Sequence, residues 1–457
     1  MAGTFIVPTT SFFLVKNFYV MEKWSLWYAF LKQIIKMAIY AFYRCRISVS
    51  YEAEIPKNAA IIFIANHQNS LLDPILMGIH LPSHIQPAFI TRGDVFANPV
   101  LRKLFTSFKM LPIFRKRDGG NTIARNEITF AKCSQLLQKK ASIMIFPEGN
   151  QAMRKHLRPM KKGLAFMLFQ AAQATHFQEY IYIIPVGLEY ENYVKAGRKV
   201  AVRFGKAINA ASYYEQYQKD KKVAITNLTS ELANMISPYI IDVKNTNEYD
   251  KIMNIHAVCE PFLVAKKDTD SDILAKSQLF IQKIEHLHEQ DEKSFENISQ
   301  KAEIFLNNIK TAHFRPNIWQ KTPSIFRLVP TFLMLILGLP FYIYGLLNNF
   351  LPYHISHFIA TKKVKDLNFY ASVLFVLNFL LFPIFYIFQT FIISCFVNSY
   401  AIFLLYFASL PITLFYTPFY QEQLKKALAN WRFLSWRKKN ANILAIPHQI
   451  YNILKKN

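Results

Sequence analysis

Two long stretches in the carboxyl-terminal third of the 457-residue chain contain no Lys, Arg, Asp or Glu. The first covers residues 328–347, and the second covers residues 367–421, which is long enough for two helices joined by a tight turn near 397–400. About 20 consecutive apolar residues suffice for a helix to cross the hydrocarbon core of a bilayer. We therefore predict a membrane domain over residues 323–420, with two or three spans, followed by a basic tail over residues 421–457.

The formal net charge of +25 indicates anionic partners. Such a charge attracts nucleic acid, anionic lipid or phosphorylated substrates. The sequence shows no zinc-ligand spacing, basic zipper or RNA-binding signature that would favour nucleic acid. Because 52% of the residues are hydrophobic, we expect membrane lipid as the partner and no nucleic acid.

The sidedness of the chain is predicted from its charges and cysteines. The positive-inside rule places the basic tail in the cytoplasm, and four scattered cysteines without disulfide or metal-ligand spacing are typical of a reducing compartment. We expect an integral membrane protein whose soluble part faces the cytoplasm. Three full spans would place tail and soluble part on opposite sides, so either one segment is re-entrant or one of the two assignments is wrong.

The amino-terminal region, residues 1–49, contains an amphipathic segment at residues 24–48. Trp, Phe and Tyr alternate there with Lys and Arg, and the segment is too charged for a span. This pattern favours a helix in the plane of the membrane interface. The alternative is a core helix of the soluble domain.

Residues 50–210 alternate between short apolar runs and segments of helical character. Continuous apolar runs of this length are typical of strands buried on both faces, and their alternation with helices predicts a layered α/β domain with a mostly parallel sheet. The predicted strands are residues 59–65, 141–146, 180–186 and 200–204, and the predicted helices are residues 122–140 and 163–176. Residues 211–322 read as a helical linker, in which Phe280, Ile284 and Leu287 repeat at helical spacing.

His67 and Asp73, in "NHQNSLLD", directly follow the first predicted strand. A neutral imidazole is available as a base near pH 7, and a neighbouring carboxylate orients it. Ligand sites of parallel sheets form beyond the carboxyl ends of the strands. The alternative is a polar helix cap, with Asn69 or Ser70 as the N-cap residue.

Glu148, Gly149 and Asn150, in "FPEGN", follow the second predicted strand. Glu148 could accept hydrogen bonds from substrate hydroxyls or orient a cation, and Gly149 lets backbone approach a ligand closely. The basic group downstream, which includes Lys161 and Lys162, suits a phosphorylated acceptor or the phosphates of coenzyme A. The alternative is a turn with a solvated basic face.

Arg115 and Arg117 follow the short apolar run in "LPIFRKR". A guanidinium at this place could hold a phosphate through two hydrogen bonds. The alternative is a solvated basic loop.

Taken together, four segments in this order resemble the glycerolipid acyltransferases, which include glycerol-3-phosphate and 1-acylglycerol-3-phosphate acyltransferases. The segments are "NHQNSLLD", "LPIFR", "FPEG" and "IIPVGL", and the resemblance covers roughly residues 50–210. Five residues separate His67 from Asp73, whereas four are commoner in the family. The longer spacing resembles a branch with fungal-type glycerol-3-phosphate acyltransferases that carry carboxyl-terminal spans. Asn150 stands where Thr or Ser is common.

The resemblance implies a glycerolipid-acyltransferase-type fold and an O-acyltransferase of phospholipid biosynthesis. The donor would be acyl-CoA or acyl carrier protein, and the acceptor a hydroxyl of glycerol-3-phosphate or its 1-acyl derivative, towards phosphatidic acid. His67 would be the general base oriented by Asp73, and no metal or bound cofactor is required. The substrate-binding residues would be Arg115 and Arg117 for the acceptor phosphate, with Glu148, Gly149, Asn150, Lys161 and Lys162.

Two other functions are alternatives to this interpretation. A catalytically silent, lipid-binding membrane scaffold could keep the same fold, although the full set of motif residues argues against it. A small transporter is suggested only by the spans, and few polar residues lie within them.

Overall fold

The apolar runs of the amino-terminal half pair into one eight-stranded sheet. The computed structural model describes residues 24–115, 118–315, 317–320, 323–397 and 399–456. In these residues the strand order is β1-β7-β6-β2-β5-β3-β4, with β8 also paired to β6. Only the pairs that β6 forms with β7 and β8 are antiparallel, so the prediction of a mostly parallel sheet is confirmed. The strands are β1 Ile47–Tyr51, β2 Ala60–Ala65, β3 Ala88–Arg92, β4 Met110–Ile113, β5 Ser142–Ile145, β6 Ile181–Tyr190, β7 Val200–Phe204 and β8 Ile208–Asn209.

The four predicted strands correspond to β2, β5, β6 and β7. Every residue of β2 is buried, as expected for a central strand covered on both faces. In register, Ile62 lies opposite Ile143 of β5 and Ile183 of β6. Four strands, β1, β3, β4 and β8, were not predicted from sequence. β1 and β3 are only partly buried and contain polar residues, while β4 and β8 have only four and two residues.

The chain folds into two compact units, and the helices of the unit that contains the sheet cover that sheet. They are α1 Leu26–Phe42, α2 Leu72–His80, α3 Pro99–Ser107, α4 Thr122–Gln138, α5 Gly163–Ala174, α6 Tyr214–Lys219 and α7 Lys221–Ile236. The two predicted helices correspond to α4 and α5. Leu228 and Leu232 of α7 belong to the core cluster under the sheet, and the unit extends to Ile240. Residues 211–240 therefore pack with the sheet.

Helix α1 has one buried and one exposed face. Ser25 caps its first turn, and Tyr28 and Ile39 are buried against the sheet domain. Trp27 and Phe30 are exposed on the other side. The helix ends at Phe42, earlier than the predicted end at residue 48, and an interfacial role for its aromatic face stays a prediction.

The second unit contains a helical cluster, which comprises α8 Tyr249–Leu263, α9 Asp270–Gln290, α10 Glu292–Thr311 and α14 Ala441–Lys456. Its core includes Phe280, Ile284 and Leu287. Helical spacing of these three residues was therefore correctly read from the sequence.

Three further helices are long and apolar enough to cross a membrane. They are α11 Ile325–Lys363, α12 Tyr370–Ser394 and α13 Tyr400–Lys439. Asn349 of α11 donates to Thr413 of α13 at 2.9 Å and accepts from Tyr386 of α12 at 2.6 Å. These buried hydrogen bonds join the three helices. Whether each of them crosses completely stays a prediction.

Candidate active site

Asp73 is the centre of a buried hydrogen-bond network just beyond the carboxyl end of β2. Its side chain is completely buried. Oδ2 accepts from the backbone N–H groups of Gln68 and Asn69 at 2.7 Å each, and Oδ1 accepts from the Tyr190 hydroxyl. Burial first, and the Asp73 charge second, raise the pKa of Tyr190 well above its ordinary value. Tyr190 therefore stays a protonated donor to the carboxylate.

His67 lies against this carboxylate in the geometry of an oriented base. Its Nδ1 is 2.7 Å from Asp73 Oδ2. Because a carboxylate can only accept, Nδ1 carries the proton and Nε2 keeps its lone pair. The ring stacks on Phe146 with centroids 4.2 Å apart, and the side chain stays 16% exposed. A substrate can thus reach an imidazole whose orientation is set on two sides.

Glu148 is held by the protein on both of its oxygens. Oε1 accepts from the His67 backbone N–H at 2.7 Å, and Oε2 accepts from Arg158 Nε at 2.6 Å. The side chain is buried. Glu148 thus pairs with Arg158, and its predicted role in substrate binding stays a prediction.

Arg158 also belongs to the site. Sequence reasoning did not select it from the basic residues that follow Glu148. Its Nη2 donates to the His67 carbonyl at 2.8 Å, so Arg158 joins the loops after β2 and β5. Its Nη1 is buried and has no hydrogen-bond partner among the described residues. Only its position ten residues after Glu148 could have signalled it, and that spacing implies no contact by itself.

The other residues of the third segment lie at the surface. Gly149 has a φ of +72°, and a Cβ there would come within 3.3 Å of the Lys161 side chain, so the turn requires glycine. Asn150 and Lys161 are exposed, and so is Lys162, whose Nζ lies 3.4 Å from the Thr226 hydroxyl. Their roles in substrate binding stay predictions.

Arg115 is paired with carboxylates at the end of β4. Its Nη2 lies 2.9 Å from Asp118 and 3.5 Å from Asp94. Its side chain is 27% exposed, so an incoming phosphate would have to compete with these carboxylates. Arg117 lies outside the described residues, and binding of a phosphate by either arginine stays a prediction.

The loop between His67 and Asp73 contains one left-handed residue. Ser70 has a φ of +37°, in the left-handed region that residues with a side chain rarely adopt. The chain then turns into α2, which contains Asp73 in its first turn. With this turn, the five-residue spacing allows the contact between His67 and Asp73.

Two further groups that sequence reasoning missed support the loops of the site, Asn66 directly after β2 and Glu189 through Lys155 after β5. The Asn66 side-chain amide exchanges two hydrogen bonds of 2.8 Å with the backbone of Leu188 in β6. Glu189 pairs with Lys155 at 2.5 Å and with Arg203 at 3.0 Å. Burial alone would raise the pKa of Glu189, but these two cations lower it below its ordinary value. Lys155 is thus engaged inside the protein.

This arrangement can perform base catalysis on a hydroxyl. A partly exposed imidazole, a buried carboxylate behind Nδ1 and a ring held in place are what such a base requires. Oxyanion donors were predicted near residues 67–70 and 149–150. The N–H groups of His67, Gln68, Asn69 and Gly149 already donate within the protein, which leaves those of Ser70 and Asn150 among the described candidates.

Known proteins resemble part of this chain. The solved 1-acyl-sn-glycerophosphate acyltransferase PlsC of Thermotoga maritima aligns with a TM-score of 0.31 at 16% identity, over 49% of this chain and 86% of that structure. Glycerol-3-phosphate O-acyltransferase 2 of Saccharomyces cerevisiae is 28% identical over 29% of this chain. The chloroplastic 1-acyl-sn-glycerol-3-phosphate acyltransferase BAT2 of Brassica napus is 29% identical over 28% of this chain.

The matches to these two curated relatives cover a minority of their length, 17% of the yeast protein and 34% of the Brassica protein. A family model described as Acyltransferase matches residues 46–189. That range contains the loops of His67, Asp73 and Glu148. Over residues 46–189, the chain is therefore similar to acyltransferases.

Proposed function

We propose that this protein transfers a fatty acyl group from a thioester donor, acyl-CoA or acyl carrier protein, to a hydroxyl of glycerol-3-phosphate or 1-acylglycerol-3-phosphate. The observation that carries the proposal is the 2.7 Å contact of His67 Nδ1 with buried Asp73, made by an imidazole that stays 16% exposed. The printed names of the two curated relatives support this acceptor class.

In the proposed reaction, His67 Nε2 removes the proton of the acceptor hydroxyl while its oxygen attacks the thioester carbonyl carbon. The C–O bond forms, and a tetrahedral oxyanion results. The oxyanion collapses, the C–S bond breaks, and the thiolate leaves with the proton returned by the imidazolium. The products are an ester and a free thiol, so protons and electrons balance without a metal.

Asp73 has a positioning and electrostatic role in this scheme. Its carboxylate keeps the proton on Nδ1 and stabilises the imidazolium that forms during attack. The buried network from Gln68, Asn69 and Tyr190 holds the carboxylate in place. Arg115 and Arg117, with Lys161 and Lys162, would supply positive charge for phosphate groups.

Membrane attachment suits these substrates. Acyl chains partition into the bilayer, so an enzyme that uses them needs its active site beside it. We propose that the apolar helices provide this attachment, with the acyltransferase domain facing the cytoplasm.

The decisive experiment uses the full chain in detergent with labelled acyl-CoA. Glycerol-3-phosphate and 1-acylglycerol-3-phosphate are offered separately, beside His67→Ala and the matched control His84→Ala, whose imidazole is exposed outside the site. We expect product with one or both acceptors, a loss of about 10²- to 10⁴-fold in kcat for His67→Ala, and none for His84→Ala.

Two results would contradict the proposal. Product formation that persists in folded His67→Ala would exclude the base. No product with either acceptor, from folded protein and with acyl carrier protein also tried as donor, would favour the silent lipid-binding scaffold.

A further inference from the structure

Residues Asp366–Ser372, which lead into α12 and include its first residues, belong to the same compact unit as the sheet. They lie about 300 residues from the catalytic loop in sequence, within the range predicted as the membrane domain. The last residue of this segment, Ser372, is only 3% exposed.

Ser372 is hydrogen-bonded to the loop between His67 and Asp73. The Leu71 N–H donates to Ser372 Oγ at 3.1 Å, and Oγ lies 3.4 Å from the carbonyl oxygen of Asn69, to which it donates. These two contacts flank Ser70, the residue with a φ of +37°. The serine hydroxyl therefore holds the left-handed turn at Ser70.

The same loop positions the proposed base. Asn69 also donates its own N–H to Asp73 Oδ2 at 2.7 Å, and that oxygen contacts His67 Nδ1. A shift of Asn69 would consequently move a hydrogen bond of the Asp73 carboxylate. Ser372 is thus one residue removed from the pair that acts on the acceptor.

A second contact joins this segment to the last residue of β3. The Arg92 guanidinium lies over the Phe369 ring, 5.6 Å from its centroid. Arg92 pairs with Asp94, which in turn lies 3.5 Å from Arg115. One short segment thereby contacts both the loop of the base and the ion-pair cluster of the proposed phosphate site.

We propose that residues 366–372 form a positioning segment of the active site, in which the Ser372 hydroxyl fixes the left-handed turn at Ser70 and so sets the geometry of His67 and Asp73. This role rests on the proposed acyl transfer. Ser372 is a positioning residue, because it acts through Asn69 and Leu71.

The test compares Ser372→Ala with Ser356→Ala in the full chain in detergent. Ser356 is a matched control, since it is a buried serine of α11 whose Oγ donates to the Pro352 carbonyl of its own helix at 2.7 Å. We expect the Leu71 amide of Ser372→Ala to exchange with deuterium about tenfold faster, because its acceptor is gone. We further expect kcat to fall about three- to tenfold, as for one lost hydrogen bond, with KM for acyl-CoA unchanged within twofold.

Ser356→Ala should change neither quantity. Unchanged exchange at Leu71 in Ser372→Ala would overturn the anchoring role. Faster exchange with an unchanged kcat would overturn the proposal that Ser372 sets the geometry of His67 and Asp73 for catalysis. Hydrogen exchange needs no substrate, so it decides the anchoring role even if neither acceptor gives product, and failure of the proposed function is thereby distinguished from failure of this inference.

Discussion

At the residue scale, the site depends on two buried carboxylates whose oxygens are all hydrogen-bonded. Asp73 accepts from His67, Tyr190 and two backbone N–H groups, and Glu148 accepts from the His67 backbone and Arg158. A buried carboxylate with an unfilled acceptor is costly. Among the described residues, Gln68 Oε1 and Arg158 Nη1 are buried side-chain atoms of the site loops that have no hydrogen-bond partner.

Arg158→Lys tests the role of the guanidinium. Lysine keeps the charge but cannot hold Glu148 and the His67 carbonyl with a planar fork of donors. We expect kcat/KM to fall about 10- to 100-fold. The control is Arg198→Lys at an exposed ion pair with Glu191, which should change kcat/KM less than twofold. Equal values of kcat/KM for both variants, measured with the same acyl-CoA, would exclude a role for the planar guanidinium of Arg158.

At the scale of elements, the strand ends bring the site together. β2 is paired in parallel with β5, so the loops that follow these strands emerge at the same edge of the sheet. This places Glu148 within hydrogen-bond distance of the His67 backbone. β6 completes the edge, because Leu188 pairs with Asn66 and Tyr190 reaches Asp73.

Gly187→Ala tests how tightly β6 must pack. A Cβ at Gly187 would lie 2.1 Å from the Tyr239 carbonyl oxygen, whereas one at Gly163 would lie 3.4 Å from the Phe130 ring. We expect Gly187→Ala to lower the free energy of unfolding by about 2 kcal/mol or more, and Gly163→Ala to change it by less than about 1 kcal/mol. Thermal unfolding of the purified variants measures the difference, and equal midpoints would contradict this account of β6.

At the scale of the whole molecule, the described residues comprise a sheet domain that is similar to acyltransferases over residues 46–189 and a helical unit that contains three helices able to span a bilayer by length and composition. The length and composition of these helices fit association with a membrane. The number of complete crossings decides on which side of the membrane the basic tail lies.

Labelling of cysteines from one side of sealed vesicles would settle the topology. Cys45 and Cys395 are exposed, whereas Cys133 and Cys259 are buried. In Cys395→Ala, an impermeant maleimide should label Cys45 only from the cytoplasmic side. With Ser435→Cys added at an exposed tail position, we expect labelling of the tail from that same side. Labelling of the tail from the opposite side would indicate three complete spans.

The sequence by itself determined the properties that depend on local composition. Charge-free length identified the apolar helices, and continuous apolar runs identified the buried strands of the sheet. The meeting of the loops that contain His67 and Glu148 also followed from sequence, because parallel strands present their carboxyl ends on one edge. The roles of the site residues remain predictions that the experiments above address.

Only the tertiary structure decided which groups complete these loops. Arg158 donates a hydrogen bond to Glu148, and the Asn66 side chain accepts one from Leu188. Ser372 accepts a hydrogen bond from Leu71, which is 301 positions away in the chain. Sequence spacing could not reveal these contacts, because they join residues whose separation along the chain has no fixed relation to distance in space. The left-handed turn at Ser70 has the same origin, since a non-glycine residue adopts it only where surrounding contacts compensate for the strain.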